Sequence, residues 1–425
     1  MSRKRIAVIG AGAAGITAAH LLQEKHDVVL FERSAILGGH ASPVRIEPKD
    51  DAPGFELDTA FVIYNDRSYP SFLKLMRRLG LHDFSQEAEM SFSFCDHGTG
   101  LEFATNKSLD ALFAQRRNLF SPRFHRIFYD LLRFRSHARG DLARGMDAVS
   151  LDGYFERRGY SDLFRKNLMF PLAMSAWSVP TARMRDFPAR TFFRYLDNHG
   201  YLGGGTDAKW RSFRGSSGTY LKAFRNSFRG EIREGREVES VSRRGEGVWV
   251  RAAGAAEERF DEGVLACHSD RALALLADPS ESETRLLGAW SYQESDTWLH
   301  TDASLMPKDP KLWTSWNIDF DSRPGADAQK EAVTYHLNRV QHLPTKRDYF
   351  ITLGGVVRIA PETVIRRFKY RHPVFEASSV ATQEALPSLN GVNRTWFCGS
   401  YFGFGFHEDA IRSGAAVAAR FGVHL

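Results

Sequence analysis

The sequence predicts an α/β protein in which a domain built on a parallel sheet is interrupted by an inserted α+β domain. Three observations support this fold class. An apolar run at residues 5–9 is followed by closely spaced glycines and a helix-forming stretch. A second apolar run at 27–31 ends in an acid, and residues 396–421 form a strand, a glycine-rich loop and a helix. Short apolar runs that alternate with helices are typical of strands buried on both faces of a parallel sheet.

Length and composition allow two or three globular domains in 425 residues, of which 43% are apolar. A net charge of +6 and a pI of about 9.1 are compatible with an anionic partner, but are more typical of a solvated surface. No segment resembles a nucleic-acid-binding module, so we expect no nucleic acid partner. The three cysteines lack metal-ligand spacing, which favours a reducing, cytoplasmic location.

The first residues superficially resemble a signal peptide, since a basic start precedes a long uncharged run. The glycine spacing within that run favours a strand and a phosphate-binding turn instead. No other uncharged stretch approaches the roughly 20 residues needed to span a bilayer. We therefore expect a soluble chain that is at most peripheral on the inner face of a membrane.

The first element is the strand at 5–9, and the glycines Gly10, Gly12 and Gly15 follow it in the spacing G-x-G-x-x-G. Gly10 makes the tight turn, Gly12 lets the backbone approach a pyrophosphate, and Gly15 lets the next helix pack on the strand. The helix N-terminus at Ala13 and Ala14 offers free N–H groups to the phosphates. The pattern therefore predicts an adenosine dinucleotide site.

The second strand, at 27–31, ends in Glu32, which can accept hydrogen bonds from a ribose 2′-OH and so disfavours NADP. Arg33 can reach nearby phosphate or ribityl oxygens. Gly38 and Gly39 provide a second close approach of the backbone, and His40 follows them. This order of acid, basic residue and glycine pair resembles the flavin-containing amine oxidase superfamily, which includes phytoene-type desaturases and protoporphyrinogen oxidases.

The resemblance implies a Rossmann-like FAD-binding domain of the glutathione-reductase type. His40 stands where many members have arginine. Thr59, Ala60 and Phe61 lie in a segment that is similar to the one beside the isoalloxazine ring. Val238 lies in a segment that resembles the strand whose valine backbone meets adenine, and residues 260–268 resemble the strand that returns to the cofactor domain.

The last element, residues 396–421, resembles the strand, loop and helix that close on the flavin in this superfamily. The helix begins at His407, and its N-terminus would point at the pyrimidine end of the ring. Relatives often place an acid where Ser400 stands, and Cys398 is expected to be a small buried residue, so FAD should be bound non-covalently. The implied contacts of this segment are Gly399, Ser400, Phe406, His407, Glu408 and Ala410.

The cofactor domain is then expected to comprise residues 1–67, 214–290 and 390–425, which leaves 68–213 and 291–389 for the substrate domain. Several segments of the substrate regions resemble a bacterial subgroup of predicted FAD oxidoreductases linked to fatty-acid modification, including a desaturase of methylated acyl chains. The quoted segments are Tyr64-Asn65, Tyr69-Pro70, Ala176-Trp177-Ser178, Phe187-Pro188-Ala189, Asn198-His199-Gly200, Leu299-His300-Thr301-Asp302, Ser315-Trp316-Asn317 and Thr334-Tyr335.

A basic amphipathic helix is predicted at residues 116–135, where one apolar face is surrounded by arginines. Such a helix can lie on an anionic leaflet, or its apolar face can pack on its own domain. Both interpretations remain open from the sequence. The apolar face comprises Phe120, Phe124, Ile127, Phe128, Leu131 and Phe134.

The resemblance favours an FAD-dependent oxidoreductase that takes a hydride from an apolar substrate, with desaturation of a methyl-branched acyl chain of a membrane phospholipid as the leading hypothesis. His300 and His407 are the candidate catalytic bases, because a neutral imidazole can accept a proton near pH 7. The water-bridging lysine of many amine oxidases has no match near His300. The alternatives are an amine or small-molecule oxidase, and a redox-neutral FAD-dependent isomerase or hydratase. The sequence gives no oligomeric state.

Overall fold

The structure is a computed structural model that describes residues 2–48, 53–105, 108–146, 148–177, 179–203, 208–327, 330–354 and 358–425. Ser178, quoted above for the subgroup resemblance, lies outside the described residues. The mixed α/β architecture predicted from the sequence is confirmed.

Strands and helices are numbered separately along the chain. The strands are β1 Arg5–Ile9, β2 Asp27–Phe31, β3 Val44–Ile46, β4 Phe55–Leu57, β5 Tyr64–Asn65, β6 Ser85–Glu87, β7 Phe92–Asp96, β8 Leu101–Thr105, β9 Trp210–Phe213, β10 Glu231–Arg233, β11 Val238–Arg244, β12 Gly247–Ala252, β13 Glu258–Phe260, β14 Glu262–Leu265, β15 Tyr292–His300, β16 Trp316–Phe320, β17 Ala332–His336, β18 Phe350–Gly354, β19 Val364–Pro373 and β20 Thr395–Phe397. The helices are α1 Ala13–Leu22, α2 Pro70–Arg78, α3 Leu109–Leu112, α4 Pro122–Ala143, α5 Leu151–Arg157, α6 Asp162–Phe164, α7 Phe170–Trp177, α8 Thr181–Met184, α9 Ala189–Asn198, α10 Gly218–Ser227, α11 Ser269–Leu275, α12 Glu281–Gly288, α13 Leu337–Gln341, α14 Ala377–Thr382 and α15 His407–Arg420.

The first sheet is parallel and has the strand order β10-β2-β1-β14-β20. Its central strand β1 carries Ile6, Ala7 and Val8, which are fully buried because helices or strands cover both faces. Ile9 pairs with Phe31 on one side and with Leu265 on the other. The carboxyl ends of β1, β2 and β14 therefore meet at one edge of the sheet, where ligands of doubly wound folds bind.

The second sheet has seven strands in the order β19-β15-β18-β17-β16-β7-β8. It is antiparallel except for the parallel pair β16 and β7. Tyr292 at the start of β15 pairs with Pro373 at the end of β19. This end of the two long strands lies close to the cofactor domain. This sheet and α4 to α9 surround the larger of the apolar cores.

The predicted helix at 116–135 is shifted in the structure. Residues 116–120 form a single 3-10 turn, and α4 begins at Pro122 with the Ser121 hydroxyl as its N-cap. The predicted apolar face packs inward, since Phe124, Ile127 and Phe134 are buried in the larger core. Phe120 is the exception, with 87% of its surface exposed. Of the two interpretations left open by the sequence, this apolar face follows the one in which it packs on its own domain, apart from Phe120.

In the part of the chain that the structure describes, no helix combines the length and the apolar character required to cross a bilayer.

Candidate functional site

The loop after β1 makes the tight turn expected of the glycine motif. Gly10 adopts a φ of +101°, a region that side chains rarely tolerate, and a Cβ there would lie 2.7 Å from the Ala266 carbonyl oxygen. A Cβ on Gly15 would lie 1.8 Å from the Gly10 carbonyl oxygen. Glycine is therefore required at both positions by contacts within the protein.

Gly12 differs from its two neighbours because a Cβ there would meet nothing within 4 Å. It is the N-cap of α1, in an extended conformation that any residue adopts, and no side chain caps the helix. The backbone N–H groups of Ala13 and Ala14 in the first turn thus lack a side-chain partner, and the space beside Gly12 is open. A helix N-terminus with this geometry suits a phosphate group.

Glu32 is held against the glycine loop at the end of β2. One carboxylate oxygen accepts a hydrogen bond from the Ala11 N–H at 2.8 Å, and the other accepts from the Ser34 N–H at 2.9 Å. Each oxygen retains a lone pair for a further donor such as a ribose hydroxyl. Arg33 is exposed beside it.

The second glycine pair lies directly alongside the first loop. The Gly38 N–H donates to the Ala11 carbonyl at 2.9 Å, and Gly12 and Gly38 form a parallel bridge. Gly38 and Gly39 have φ values of +116° and +59°. A Cβ on Gly39 would approach the Gly12 Cα at 3.3 Å, so the backbones are in close contact.

His40 lies in a cluster of half-buried imidazoles. Its ring centroid is 6.3 Å from that of His268, 5.3 Å from that of His372 and 4.9 Å from that of Tyr370. Burial lowers the pKa of His40 to about 4, of His268 to about 4 and of His372 to about 3, so all three are neutral near pH 7. Among the described residues no group of three or more acids, histidines and cysteines is arranged to hold a metal ion.

Two nitrogens of this cluster, His40 Nε2 and His372 Nδ1, are buried without a hydrogen-bond partner. Leaving a buried polar atom unpaired costs about 1–3 kcal/mol. The two unpaired nitrogens therefore indicate that a further hydrogen-bonding group belongs beside the glycine loops.

The segment 58–61 connects the cluster to the C-terminal part of the site. The Thr59 hydroxyl lies 2.6 Å from the Tyr370 hydroxyl, and the Phe61 ring stacks on His407 with centroids 3.8 Å apart. Asp58 is buried and accepts hydrogen bonds from the Ser217 N–H and hydroxyl, yet burial raises its pKa to about 7. Ala60 follows Thr59 on the same turn, so the predicted contacts 59–61 lie together.

The tail of the chain packs directly on the front cradle. The Cys398 N–H donates to the Leu265 carbonyl, and the Gly399 N–H donates to the Ser413 hydroxyl at 2.9 Å. A Cβ on Gly414 would lie 2.3 Å from the Ala14 carbonyl oxygen, which fixes α15 against the first turn of α1. Burial raises the pKa of the Cys398 thiol, consistent with a structural residue. The two ends of the chain therefore form one site.

The acids at the start of α15 are occupied by the protein. Both carboxylate oxygens of Glu408 accept from the N–H groups of Ser71 and Phe72 at 2.9 Å, which caps α2. Asp409 accepts from the N–H groups of Phe404 and Phe406. Glu408 was predicted as a cofactor contact, but its side chain is already hydrogen-bonded to the N-terminus of α2.

The remaining tail residues form the turn before α15 and its first turn. The Ser400 carbonyl accepts from the N–H groups of Gly403 and Gly405, and the Ala410 N–H donates to the Phe406 carbonyl. The Phe406 ring stacks on Tyr195 of the substrate region with centroids 5.1 Å apart. Phe406 therefore faces the substrate side.

Val238 begins β11 and lies near Glu32. The Arg236 N–H, two residues earlier, donates to the Glu32 carbonyl at 2.9 Å. The Val238 carbonyl accepts from the Arg271 guanidinium at 3.0 Å, and the side chain is buried. The structure therefore places Val238 close to Glu32, at the adenosine end of the predicted site.

His300 lies away from the other predicted site residues. It ends β15, eight residues or about 26 Å from Tyr292, whose ring stacks on His268. Tyr370 pairs with Ser295, and side chains alternate along a strand, so His300 lies on the opposite face of the sheet from Tyr370. Its Nε2 lies 2.8 Å from the Thr352 hydroxyl, and its Nδ1 accepts from the Asp302 N–H. Both nitrogens are therefore engaged in the interior of the substrate sheet.

These features fit FAD. The first turn of α1 and the open side of Gly12 would hold the pyrophosphate, and Glu32 would hold the adenosine ribose. The unpaired nitrogens of His40 and His372 could then hydrogen-bond to FAD, which is rich in donors and acceptors. The stack of Phe61 and His407 lies at the start of α15, whose N-terminus would face the flavin.

The sequence reasoning missed His268, His372 and Tyr370 as site residues. His268 follows β14 at the carboxyl edge of the parallel sheet, a position where ligands bind, so its place in the chain was a usable signal. His372 and Tyr370 lie on β19 and reach the site only through the pairing of the second sheet. No local pattern marks them.

The comparisons with known proteins agree with this geometry. A model of the family described as flavin containing amine oxidoreductase matches residues 13–301, more than half of the chain. No curated protein matches the sequence.

Solved structures match over nearly the full length. A fatty acid isomerase from P. acnes that produces CLA has a TM-score of 0.70 at 16% identity, and the match covers 99% of each chain. Cyclohexylamine oxidase from Brevibacterium oxydans IH-35A has a TM-score of 0.68 at 13% identity, covering 99% of this chain and 100% of that one. Putrescine oxidase with putrescine bound has a TM-score of 0.67 at 14% identity, covering 99% of each chain. At sequence identities of 13% to 16%, these matches establish that the fold is shared and nothing further.

Proposed function

The chain belongs to the flavin-containing amine oxidoreductase family and is an FAD-dependent oxidoreductase, and from this we propose that it desaturates a fatty acyl chain, with a methyl-branched chain of a membrane phospholipid as the substrate. The substrate would lose a hydride from one carbon to the flavin and a proton from the next carbon, ultimately to solvent, which leaves an alkene. Bound FAD supplies the hydride acceptor. The protein's part is to orient the C–H bond and exclude water.

An apolar cavity beside the tail carries this proposal. It has a volume of about 120 Å³ and lies between α7, α8 and the end of β19. This volume is below the range of about 300–1,000 Å³ that is usual for ligand sites, so the cavity would hold only a short segment of an acyl chain. Its walls are mostly buried apolar side chains, which suits hydrocarbon. These side chains are Trp177, Val179, Met184, Phe187, Val374 and Phe375.

The cavity is joined to the loop that leads into α15. Trp177 lines the cavity, and its indole N–H donates to the Phe404 carbonyl at 3.2 Å. The same Trp177 ring lies 5.8 Å from Phe406, two residues further on. A hydrocarbon in the cavity would therefore lie next to the residues that precede His407.

The charges at the cavity do not distinguish a neutral chain from an amine, because Asp186 remains as an acid beyond the one ion pair of the wall. The charged wall residues are Arg183, Asp186 and Glu376, and Arg183 and Glu376 form an ion pair at 3.5 Å. β15 contains no lysine, in agreement with the missing water-bridging lysine of many amine oxidases. Aromatic walls could also bind an ammonium by cation–π contact, which makes an amine oxidase the outcome to test against.

Neither candidate histidine is suited by its environment to accept the proton. Burial lowers the pKa of His300 to about 4 and that of His407 to about 3, so each is a weak base near pH 7. His407 Nε2 lies 3.2 Å from the Tyr220 hydroxyl and its ring stacks on Phe61. We therefore propose a positioning role for His407 and leave His300 as part of the substrate sheet.

A redox-neutral fatty acid isomerase is the second candidate. The specific observation in its favour is that the fatty acid isomerase from P. acnes shares the fold over 99% of both chains. Both candidates use an apolar cavity, and they differ in whether the product has lost two hydrogens.

The proposal is tested by mixing the purified flavoprotein anaerobically with a branched-chain phospholipid, an unbranched phospholipid or an amine. Desaturation bleaches the flavin with the branched phospholipid and gives one alkene per flavin reduced. Turnover of the lipid without net reduction would establish the isomerase instead. Bleaching by amines alone would refute both lipid proposals.

A variant that fills the cavity links the activity to its location. Val179→Phe should block acyl turnover while flavin content remains at the wild-type level, because the added ring occupies the cavity. Val392→Phe makes the same change at a surface site with 48% exposure and should leave turnover unchanged. Equal activity of the two variants would show that this cavity does not take the substrate.

A further inference from the structure

Exposed apolar side chains are concentrated around the start of α4. Among the described residues, Phe120 is 87% exposed, Leu132 65%, Tyr129 56% and Leu119 41%. Isolated exposed apolar residues are common on soluble proteins, but a cluster of them marks an interaction surface. Tyr129 and Leu132 are three residues apart and therefore lie on the same outward side of the helix.

The inner side of α4 is firmly anchored, so the outward side has a fixed orientation. Asp130 is fully buried and accepts hydrogen bonds from Arg126, Arg133 and the Ser161 N–H. Phe124 and other apolar residues of the inner side are part of the larger core. The exposed side chains are therefore not a loosely packed helix face that could turn inward.

The outward side carries positive charge without acids. The exposed residues of α4 include Arg123, Arg126, Arg135 and Arg139 and no aspartate or glutamate. Arg126 is engaged with Asp130. The other three arginines form no ion pair with any acid in the described part of the chain. We define the outer face of α4 as Tyr129, Leu132, Arg135 and Arg139, together with Leu119 and Phe120 of the turn that precedes the helix.

We propose that the outer face of α4 docks on an anionic lipid bilayer. The apolar side chains would enter the boundary between headgroups and acyl chains, and the arginines would lie at the level of the lipid phosphates. Each cation near such a surface strengthens binding about fivefold. This face shares only Phe120 with the apolar face predicted from the sequence, and its position does not depend on the proposed substrate.

Charge favours a bilayer over a second copy of the chain. In a symmetric dimer the same patch meets itself, so the arginines of one copy would oppose those of the other. An anionic leaflet supplies the opposite charge over the whole face. The charge of this face therefore favours a lipid bilayer as its partner. Self-association through the face would contradict the proposal.

The test measures binding of the full-length, flavin-loaded protein to vesicles of phosphatidylglycerol and phosphatidylcholine, with pure phosphatidylcholine vesicles for comparison. Arg135→Glu combined with Arg139→Glu should weaken binding to the anionic vesicles by roughly 30-fold or more, since two cations are lost. Arg285→Glu combined with Arg420→Glu makes the same change in charge at exposed sites elsewhere and should bind like the wild type.

The apolar contribution is tested separately with Phe120→Ser, which should weaken binding about tenfold because one aromatic ring no longer enters the bilayer. Val392→Ser is its surface control. Equal binding of all variants, or equal binding to neutral and anionic vesicles, would overturn the proposal. So would a dimer in lipid-free buffer that Phe120→Ser converts to a monomer. Binding requires no turnover, so this result is independent of the activity assay above.

Discussion

Replacing Gly12 with alanine should remove the flavin from a chain that still folds. The backbone at Gly12 has φ −74° and ψ −177°, an extended conformation open to alanine, and the added methyl would meet no protein atom within 4 Å. Alanine is a poorer N-cap than glycine, but it also lowers the entropy of the unfolded chain by an amount worth about 0.4–1 kcal/mol. The two effects oppose each other, so the stability of the apoprotein should change by less than about 1 kcal/mol.

The added methyl group should weaken the binding of FAD directly. It points into the open space beside the first turn of α1, where the pyrophosphate would approach the backbone. Forcing an extra methyl into a packed contact costs about 1–3 kcal/mol, which corresponds to a loss of affinity of roughly 5- to 150-fold. At a free FAD concentration of 100 times the wild-type Kd, binding stabilises the wild type by about 2.7 kcal/mol. A 30-fold weaker variant would gain only about 0.9 kcal/mol at the same concentration.

The measurement is thermal or urea unfolding of the apoprotein with increasing FAD, for wild type, Gly12→Ala and Gly15→Ala. A Cβ at Gly15 would lie 1.8 Å from the Gly10 carbonyl oxygen, so Gly15→Ala should unfold more easily even without FAD. Gly12→Ala should match the wild type without FAD and fall behind it as FAD is added. An unchanged response of Gly12→Ala to FAD would refute the placement of the pyrophosphate beside Gly12.

Three further predictions concern packing, pH and the α4 anchor. Gly414→Ala should lower the melting temperature and the retained flavin together, because its Cβ would lie 2.3 Å from the Ala14 carbonyl oxygen; loss of neither would contradict the tight contact of α15 with α1. Acidification from about pH 6.5 to pH 4 should lower the urea midpoint, since folded His40 and His268 keep pKa values of about 4 while the unfolded chain binds protons near 6.5. His40→Gln should make that pH dependence shallower, and an identical slope would show that His40 does not contribute. Asp130→Asn should destabilise the protein by about 2 kcal/mol in denaturant titrations, because Arg126 and Arg133 lose their buried carboxylate partner; a change below about 0.5 kcal/mol would show that α4 is held by its apolar face alone.

The cofactor domain could be predicted from the sequence because its signals are local. Gly10 and Gly15 are required by contacts with the neighbouring turn, and β1 and β2 lie where the apolar runs predicted them. The last helix was likewise expected at His407, where α15 begins. Each of these features follows from the backbone needs of a few adjacent residues.

The rest of the site depends on contacts between distant segments, which no single stretch of sequence reveals. Glu408 has a suitable charge for the first turn of its own helix, yet it caps α2, more than 330 residues earlier. His372 joins His40 only because β19 pairs with β15. His300 was selected for its residue type, and the alternation of β15 sends it to the other side of the sheet.

The contact of Gly414 with Ala14 also bears on the order in which the protein can fold. The parallel sheet receives its last strand, β20, only when residues 395–397 have been synthesised. Until then β14 is an edge strand, and the first turn of α1 lacks the helix that covers it. Early segments of the chain must therefore stay soluble with an unpaired strand edge during translation, a stage at which aggregation competes with folding. The cofactor site is complete only after β20 and α15 have been synthesised and have packed against β14 and α1.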